Sequence, residues 1–263
     1  MSKGQAQMGG VMRALSVLLG MIAVVAMVLA AGCGSPATSA DTQPSATPDA
    51  VVTAEPEPSS SMTVTTDESG DAEVVIEKAG FAYEGEYDEV GYGLVLKNTS
   101  ALDAVGVQVS VNFMNKGGTI LTTEDSTINV IPAGETYYLG GQTYTEDGKP
   151  KKMEAFVDID SSEPAQYALP DVSQVRIIRD DWGDISVKGQ VKNDLDDALS
   201  SIASITCVIF DKSGKVVGGG FTFLDSDLKS GRTAGFEVVN GPSVTQSSKA
   251  ASAKASMDNQ VAY

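Results

Sequence analysis

The stretch Val105-Gly106-Val107-Gln108-Val109-Ser110-Val111-Asn112-Phe113, continuing as Met114-Asn115-Lys116-Gly117-Gly118-Thr119-Ile120, decides the fold. Apolar residues at 105, 107, 109, 111 and 113 alternate with small or polar ones, the period of a strand with one buried face. Asn-Lys-Gly-Gly then supplies the positive-φ positions of a tight hairpin, and a further strand leaves at Ile120. The same order of events returns 96 residues later, where Phe210-Asp211-Lys212-Ser213-Gly214-Lys215-Val216 aligns with Met114 to Ile120. Its strand runs from Ile202 to Phe210, with Ile205, Cys207 and Ile209 on one face and Thr206, Val208 and Phe210 on the other. Both faces of that strand are expected to be covered.

Two more blocks keep this register. Leu96-Lys97-Asn98 aligns with Val191-Lys192-Asn193 at a spacing of 95, and Val130 to Gly134 with Asp227 to Gly231 at 97. Three blocks in one order mark an internal duplication. Val90, Tyr92, Leu94 and Leu96 alternate upstream, as do Ile185, Val187, Gly189 and Val191; Met153, Ala155, Val157 and Ile159 close the first unit. No run at helical period follows the N-terminal segment. Short strands at regular spacing in units of about 95 residues predict an all-β protein of two tandem immunoglobulin-like antiparallel sandwiches. Their expected bounds are 72–168 and 169–263, joined by a short link near 161–171 that allows either a rigid or a hinged arrangement.

Ahead of the repeats lie two segments of different character. Lys3 and Arg13 precede an apolar run from Ala14 to Ala31, which ends in Leu29-Ala30-Ala31-Gly32-Cys33. A positive start, an apolar centre and small residues before a break read as a secretory signal over 1–32. Residues 33–71 hold half of the ten prolines, seven acids and no base, and are rich in Ser and Thr. Such a composition buries too little apolar surface to offset its ordering entropy, which predicts a disordered tether. Proline and like charge extend it, to a limit of roughly 120 Å.

Leu29-Ala30-Ala31-Gly32-Cys33 resembles the lipobox of bacterial lipoproteins, with Ala30 where that family prefers Leu, Val or Ile. The resemblance implies cleavage before Cys33, acylation of its thiol (palmitate among the chains) and attachment to the outer face of the cell membrane. Each buried methylene of an acyl chain contributes ~0.8 kcal/mol to such an anchor. The alternative is an uncleaved span with Cys33 just outside the membrane; both place the rest of the chain outside the cytoplasm. Gly189-Gln190-Val191-Lys192-Asn193, Ile209 to Gly214 and Leu228-Lys229-Ser230-Gly231 resemble the FxLYD-type domain, an immunoglobulin-like module of prokaryotic surface lipoproteins. The likeness covers most of 172–258, is weaker in the first unit, and implies a fold rather than an active site.

Composition narrows the chemistry. The chain of 263 residues has no histidine, which excludes Ser-His-Asp and Cys-His nucleophiles and His-ligated zinc or haem. A net charge of −17 argues against nucleic acid as a partner. Of the charge after Gly32, the tether carries −7, the first unit −10 and the second −2, so the balanced second unit is the expected place for a partner. Glu84, Glu86, Asp88 and Glu89, and Asp194, Asp196 and Asp197, offer oxygen ligands without the spacing of a calcium loop. Cys207 is expected to be buried and inert. Of Tyr137 and Tyr138, neighbours on a strand, at least one is expected to pack inward; Trp182 is expected to cover a sandwich end, and Tyr144 is a candidate loop contact.

No catalytic residue, cofactor or metal ligand is assigned, and an enzyme is not expected. The expected function is a membrane-anchored, non-catalytic binding module whose partner is a protein or a cell-envelope component. A structural acidic surface spacer without a ligand is the alternative, followed by a carbohydrate-active or calcium-dependent protein. Replacing the acylated thiol tests the anchor: C33S is expected to release the protein from the membrane fraction, and its retention there would favour an uncleaved span.

Overall fold

Runs of apolar residues at strand spacing recur between residues 74 and 257, and most of them are strands in a computed structural model, which describes residues 71–85, 87–146, 148–239 and 248–262. The signal segment, Cys33, the tether up to residue 70 and Glu86 lie outside the described residues. The strands are β1 (Val74–Glu84), β2 (Glu89–Asn98), β3 (Leu102–Met114), β4 (Ile120–Ile131), β5 (Thr136–Tyr144), β6 (Lys152–Pro164), β7 (Asp171–Arg179), β8 (Ile185–Lys192), β9 (Ile205–Phe210), β10 (Val216–Thr222), β11 (Thr233–Val238) and β12 (Ser252–Met257). Among the described residues there is no helix, and so none long and apolar enough to cross a membrane.

Four three-stranded sheets result, ordered β1-β2-β5, β4-β3-β6, β11-β8-β7 and β10-β9-β12. Every pairing is antiparallel, and the second half repeats the connectivity of the first strand for strand. Each half has its own apolar cluster between its two sheets. Tyr92, Leu94 and Leu96 of β2 meet Val107, Val109, Val111 and Phe113 of β3 in the first. In the second, Val187 and Val191 of β8 meet Ile205, Cys207 and Ile209 of β9.

The repeated blocks of sequence owe their residues to repeated backbone needs. The fully buried Asn98 donates from Nδ2 to the carbonyls of Leu102 and Ile131, both at 2.8 Å. Its counterpart Asn193, equally buried, donates to Asp197 O at 2.8 Å and Leu228 O at 2.7 Å. Each amide ties the end of its strand to the backbone of two further segments, and its own buried N–H groups are satisfied in doing so. In the hairpins, Asn115 Oδ1 accepts from the amides of Gly117 and Thr119, and Asp211 Oδ1 from those of Ser213 and Lys215. Gly118 and Gly214 close the two turns at φ of 86° and 79°, a conformation that favours glycine.

Two details of the β3 and β9 reading are corrected. Val105 is only half-buried and stands outside the core, because Gly106 adopts φ of 66° and turns the strand, so that Ala104 packs inward instead. β9 begins at Ile205 rather than Ile202, whose side chain is 67% exposed in a turn held by the bond from Ala203 N to Ser200 O. The strand itself is buried at every position, so both its faces are covered as its composition implies.

What covers its second face is the other half of the protein. Residues 80, 93 and 140 are laterally paired across β1, β2 and β5, and all three are glycine. Against this row runs Gly218-Gly219-Gly220 of β10. A Cβ on Gly140 would lie 1.9 Å from the carbonyl oxygen of Cys207, one on Gly219 2.2 Å from that of Tyr92, and one on Gly80 2.3 Å from that of Val216. Stacked sheets ordinarily stand ~10 Å apart because side chains separate them; here backbone rests on backbone. Val95, Val208, Phe210 and Val216 fill the space beside the row, with Tyr138 packed on them. Tyr138 N–H donates to Ser256 Oγ at 3.0 Å, and Thr206 Oγ1 donates to Tyr138 O at 2.5 Å.

The link between halves is fixed as well. Asp103, fully buried, accepts backbone N–H groups from Ala133 at 2.7 Å, Gln166 at 2.7 Å and Tyr167 at 2.9 Å. Burial alone would raise its pKa; the three N–H groups together outweigh it and hold the carboxyl below its ordinary value. Gly140→Ala is expected to destabilise the protein by ~1–3 kcal/mol through overpacking. Gly235→Ala, whose new methyl meets nothing nearer than 3.9 Å, is expected to change stability little. Urea unfolding of the two variants checks this; equal effects would contradict the close contact.

Candidate functional site

The inward faces of β3's two neighbours differ. Opposite Val109, Val111 and Phe113 on one side, β6 places Val157, Ala155 and Met153. Opposite the same three residues on the other side, β4 places Ser126, Glu124 and Thr122. The row is apolar toward β6 and polar toward β4, although all of these positions point between the sheets. Further along β4, Ile128 and Ile131 are buried and belong to the first core.

A cleft of about 330 Å³ opens where the row is polar. Glu124 and Ser126 line it from β4, Tyr92 from β2, Gln142 from β5, and Ser204, Thr206, Phe221 and Phe223 from the second half. Thr143 Oγ1 donates to Glu124 Oε1, so the carboxylate is held in place. Gln142 Nε2 donates to Tyr144 Oη at 3.1 Å. The Tyr92 phenol is pushed up to about 12, by burial first and by Glu124 and Asp125 nearby, with the Ser126 hydroxyl acting against them. Phe221 and Phe223 stand edge to face with ring centroids 5.7 Å apart, and Phe223 is half exposed at the mouth. Among the described residues, Glu124 is the one charged residue in the lining.

A larger depression of about 690 Å³ follows the link at 165–172. Its buried carboxylate, Asp103, is already committed to three N–H groups, and half of its lining is the link itself. The smaller cleft is therefore the candidate site.

Asp258 lies beside the cleft, at the seam between the halves. It is buried, and its Oδ1 accepts from Asn129 N at 3.2 Å and from Asn259 N at 2.9 Å. Burial pushes its pKa up to about 6, against the pull of the two N–H groups. Tyr137 faces it and is wholly buried, its phenol raised by burial first and by Asp258 next.

The other candidates from the sequence are scattered. Tyr137 packs inward in the first core, while Tyr138 serves the contact between halves. Trp182 does not cover a sandwich end: it is 87% exposed at the tip of the β7–β8 turn, where Asp180 Oδ1 accepts from Trp182 N and Asp184 N. A connection of five residues, Asp180 to Asp184, leaves its side chain no neighbouring surface to lie on. Tyr144 is exposed. Cys207 is buried in the second core, and burial pushes its thiol up to about 12. Asp194 pairs with Lys192 at 2.6 Å. The lining residues Glu124, Ser126, Phe221 and Phe223 were not singled out from sequence. Their signal is the Thr122-Glu124-Ser126 break in β4's alternation and the Phe-Thr-Phe spacing that sets both rings on one face.

No protein-family model and no curated protein matches the chain. Among solved structures, an exo-chitosanase of Amycolatopsis orientalis matches at 12% identity and a TM-score of 0.25, over 70% of this chain and 26% of that one. A transglutaminase of red sea bream matches at 9% identity and a TM-score of 0.26, over 73% of this chain and 30% of that one. The chain thus spans less than a third of either protein's length.

The titration of Asp258 sets a pH dependence with a defined sign. Its folded pKa of about 6 lies above the ordinary 3.8, so the folded state binds the proton more tightly, and stability is lost as pH rises from 3.8 through 6. Lowering the pH from 7 to 5 is expected to add about 1 kcal/mol from this group. Asp258→Asn is expected to raise stability at pH 7 and to remove that contribution; thermal melts at both pH values read it out, and an unchanged slope in the variant would contradict the assignment.

Proposed function

We propose that this protein is a lipid-anchored binding module of the extracytoplasmic membrane face. In this reading residues 1–32 direct export, Cys33 carries the acyl anchor and 33–71 form an acidic stalk. Two FxLYD-like immunoglobulin sandwiches, 72–168 and 169–263, stand at its end and act without catalysis.

The observation that carries a binding role is the polar row on β4. Thr122, Glu124 and Ser126 occupy positions that point between two sheets beside Phe113, Val111 and Val109. Polar side chains in such places cost stability, and proteins keep them where function uses them. A spacer without a ligand has no use for a carboxylate turned inward beside a half-exposed phenylalanine. The glycine contact supports the same reading, since it holds the Phe221–Phe223 pair in a set position against β4, and preorganised sites lose less entropy on binding. The anchor rests on Leu29 to Cys33 and on the tether's composition.

Intact-mass measurement on protein extracted from membranes tests the anchor. The expected product begins at Cys33 and carries the added mass of a diacylglyceryl group with an amide-linked acyl chain. A chain that still begins before Cys33, or that carries no lipid, would overturn the anchored reading.

A further inference from the structure

We propose that the cleft between β4 and the Phe221–Phe223 pair binds one ring of a glycan, a neutral or amino-substituted sugar and not an acidic one. This deepens the binding role proposed above and rests on it.

The lining has the two kinds of surface that a pyranose presents. A sugar ring has an apolar face of C–H groups and a rim of hydroxyls. Phe223, half exposed and braced edge to face by Phe221, offers a flat apolar platform at the mouth. Glu124 and Ser126 from β4, Gln142 from β5 and Ser204 from the second half add a carboxylate, an amide and two hydroxyls to the same lining, with the Gln142 carbonyl oxygen left to accept while its Nε2 serves Tyr144. The carboxylate is oriented by Thr143 and accepts further donors through its remaining lone pairs. A volume of about 330 Å³ sits at the small end of ligand pockets, which run ~300–1,000 Å³. It suits one ring with the rest of the chain outside.

Charge sets the class of sugar. Glu124 lines the cleft, Asp125 lies next to it in β4, Asp258 is buried at the neighbouring seam, and among the described residues no Lys or Arg is in the lining. A uronate or a phosphosugar would meet like charge without a cation. A neutral ring meets none of that penalty, and an ammonium on the ring gains a charge-assisted bond to Glu124.

An extended peptide added to the open edge of β4 is the competing occupant, and Glu124 disfavours it. Inward-pointing charge on an edge strand is one of the devices that keep edges from pairing. The added strand would also have to turn side chains into the space that Glu124 and Ser126 occupy.

The test uses the full chain in micelles of a detergent without a sugar headgroup, with calorimetric titration of maltotriose, glucosamine and trigalacturonate. Saturable binding of maltotriose or glucosamine, and none of trigalacturonate, is expected. Phe223→Ala, at a half-exposed site and with its fold checked by thermal melt, is expected to weaken binding about tenfold, as loss of a central aromatic contact does. Glu124→Gln is expected to reduce the affinity for glucosamine more than that for maltotriose. Trp182→Ala, an exposed aromatic elsewhere, is expected to leave binding unchanged. Trigalacturonate binding as well as maltotriose, or binding insensitive to Phe223→Ala, would overturn the proposal. If no sugar binds while an Arg- and Lys-rich extended peptide does, the glycan falls and the binding role stands. If neither those sugars nor that peptide gives saturable binding, the glycan falls together with the support for a binding role at this cleft.

Discussion

Sheet β1-β2-β5 carries glycine at residues 80, 93 and 140, where an outer sheet face would carry side chains, and the joining of the two halves follows from the missing Cβ atoms. Glycine inside a strand is costly, about 0.5–1 kcal/mol each relative to alanine. The return comes from the approach it allows. With carbonyls of Cys207, Tyr92 and Val216 where Cβ atoms would stand, the sheets meet at backbone distance, and the apolar side chains of Val95, Val208, Phe210 and Val216 close around the contact. Hydrogen bonds at Tyr138 then satisfy backbone groups of β5 that water would otherwise serve. Glycines elsewhere in the sheets are screened differently: the ring of Tyr92 lies over Gly141 and that of Phe236 over Gly189.

This contact gives the cleft its form. Among the described residues no strand pairs with the outer edge of β4, and its inward row is polar where the first half opens. The end of β10 reaches that opening only because Gly218 to Gly220 bring β10 down onto the row of glycines beneath it. Phe221 and Phe223 follow directly in sequence, so the residues that bring the sheets together also deliver the aromatic wall. Asp258 shares the dependence. Its carboxylate is buried because the chain after β12 presses on β4, and the group takes the amide of Asn129 in place of a neighbouring strand.

Much of the fold was legible in the sequence because it is written as local pattern repeated. Alternation at 107–113 and 205–210 marked the central strands; the Asn-Lys-Gly-Gly and Asp-Lys-Ser-Gly turns and the paired Asn98 and Asn193 answer to the same backbone needs in both halves. Val105 and Ile202 were misplaced for local reasons, a left-handed glycine and a turn that ends before the strand begins. The contact between halves was not legible. Gly80, Gly93 and Gly140 are 13 and 47 residues apart, and only the registers of β1, β2 and β5 bring them into line. Glu124 and Ser126 were hidden likewise: in sequence they are polar residues of an ordinary edge strand, and their inward direction appears only once Val111 and Val109 stand opposite them. Large aromatics ordinarily pack, but the short β7–β8 turn leaves Trp182 nothing to pack against.

Scanning calorimetry of the full chain tests the central claim most directly, that the glycine row makes one unit of the two halves. Two sandwiches joined only by a link would melt separately, each with its own midpoint. The contact described here predicts one transition, with calorimetric and van't Hoff enthalpies in agreement, the mark of all-or-none unfolding. Two resolved transitions, or a calorimetric enthalpy about twice the van't Hoff value, would contradict it.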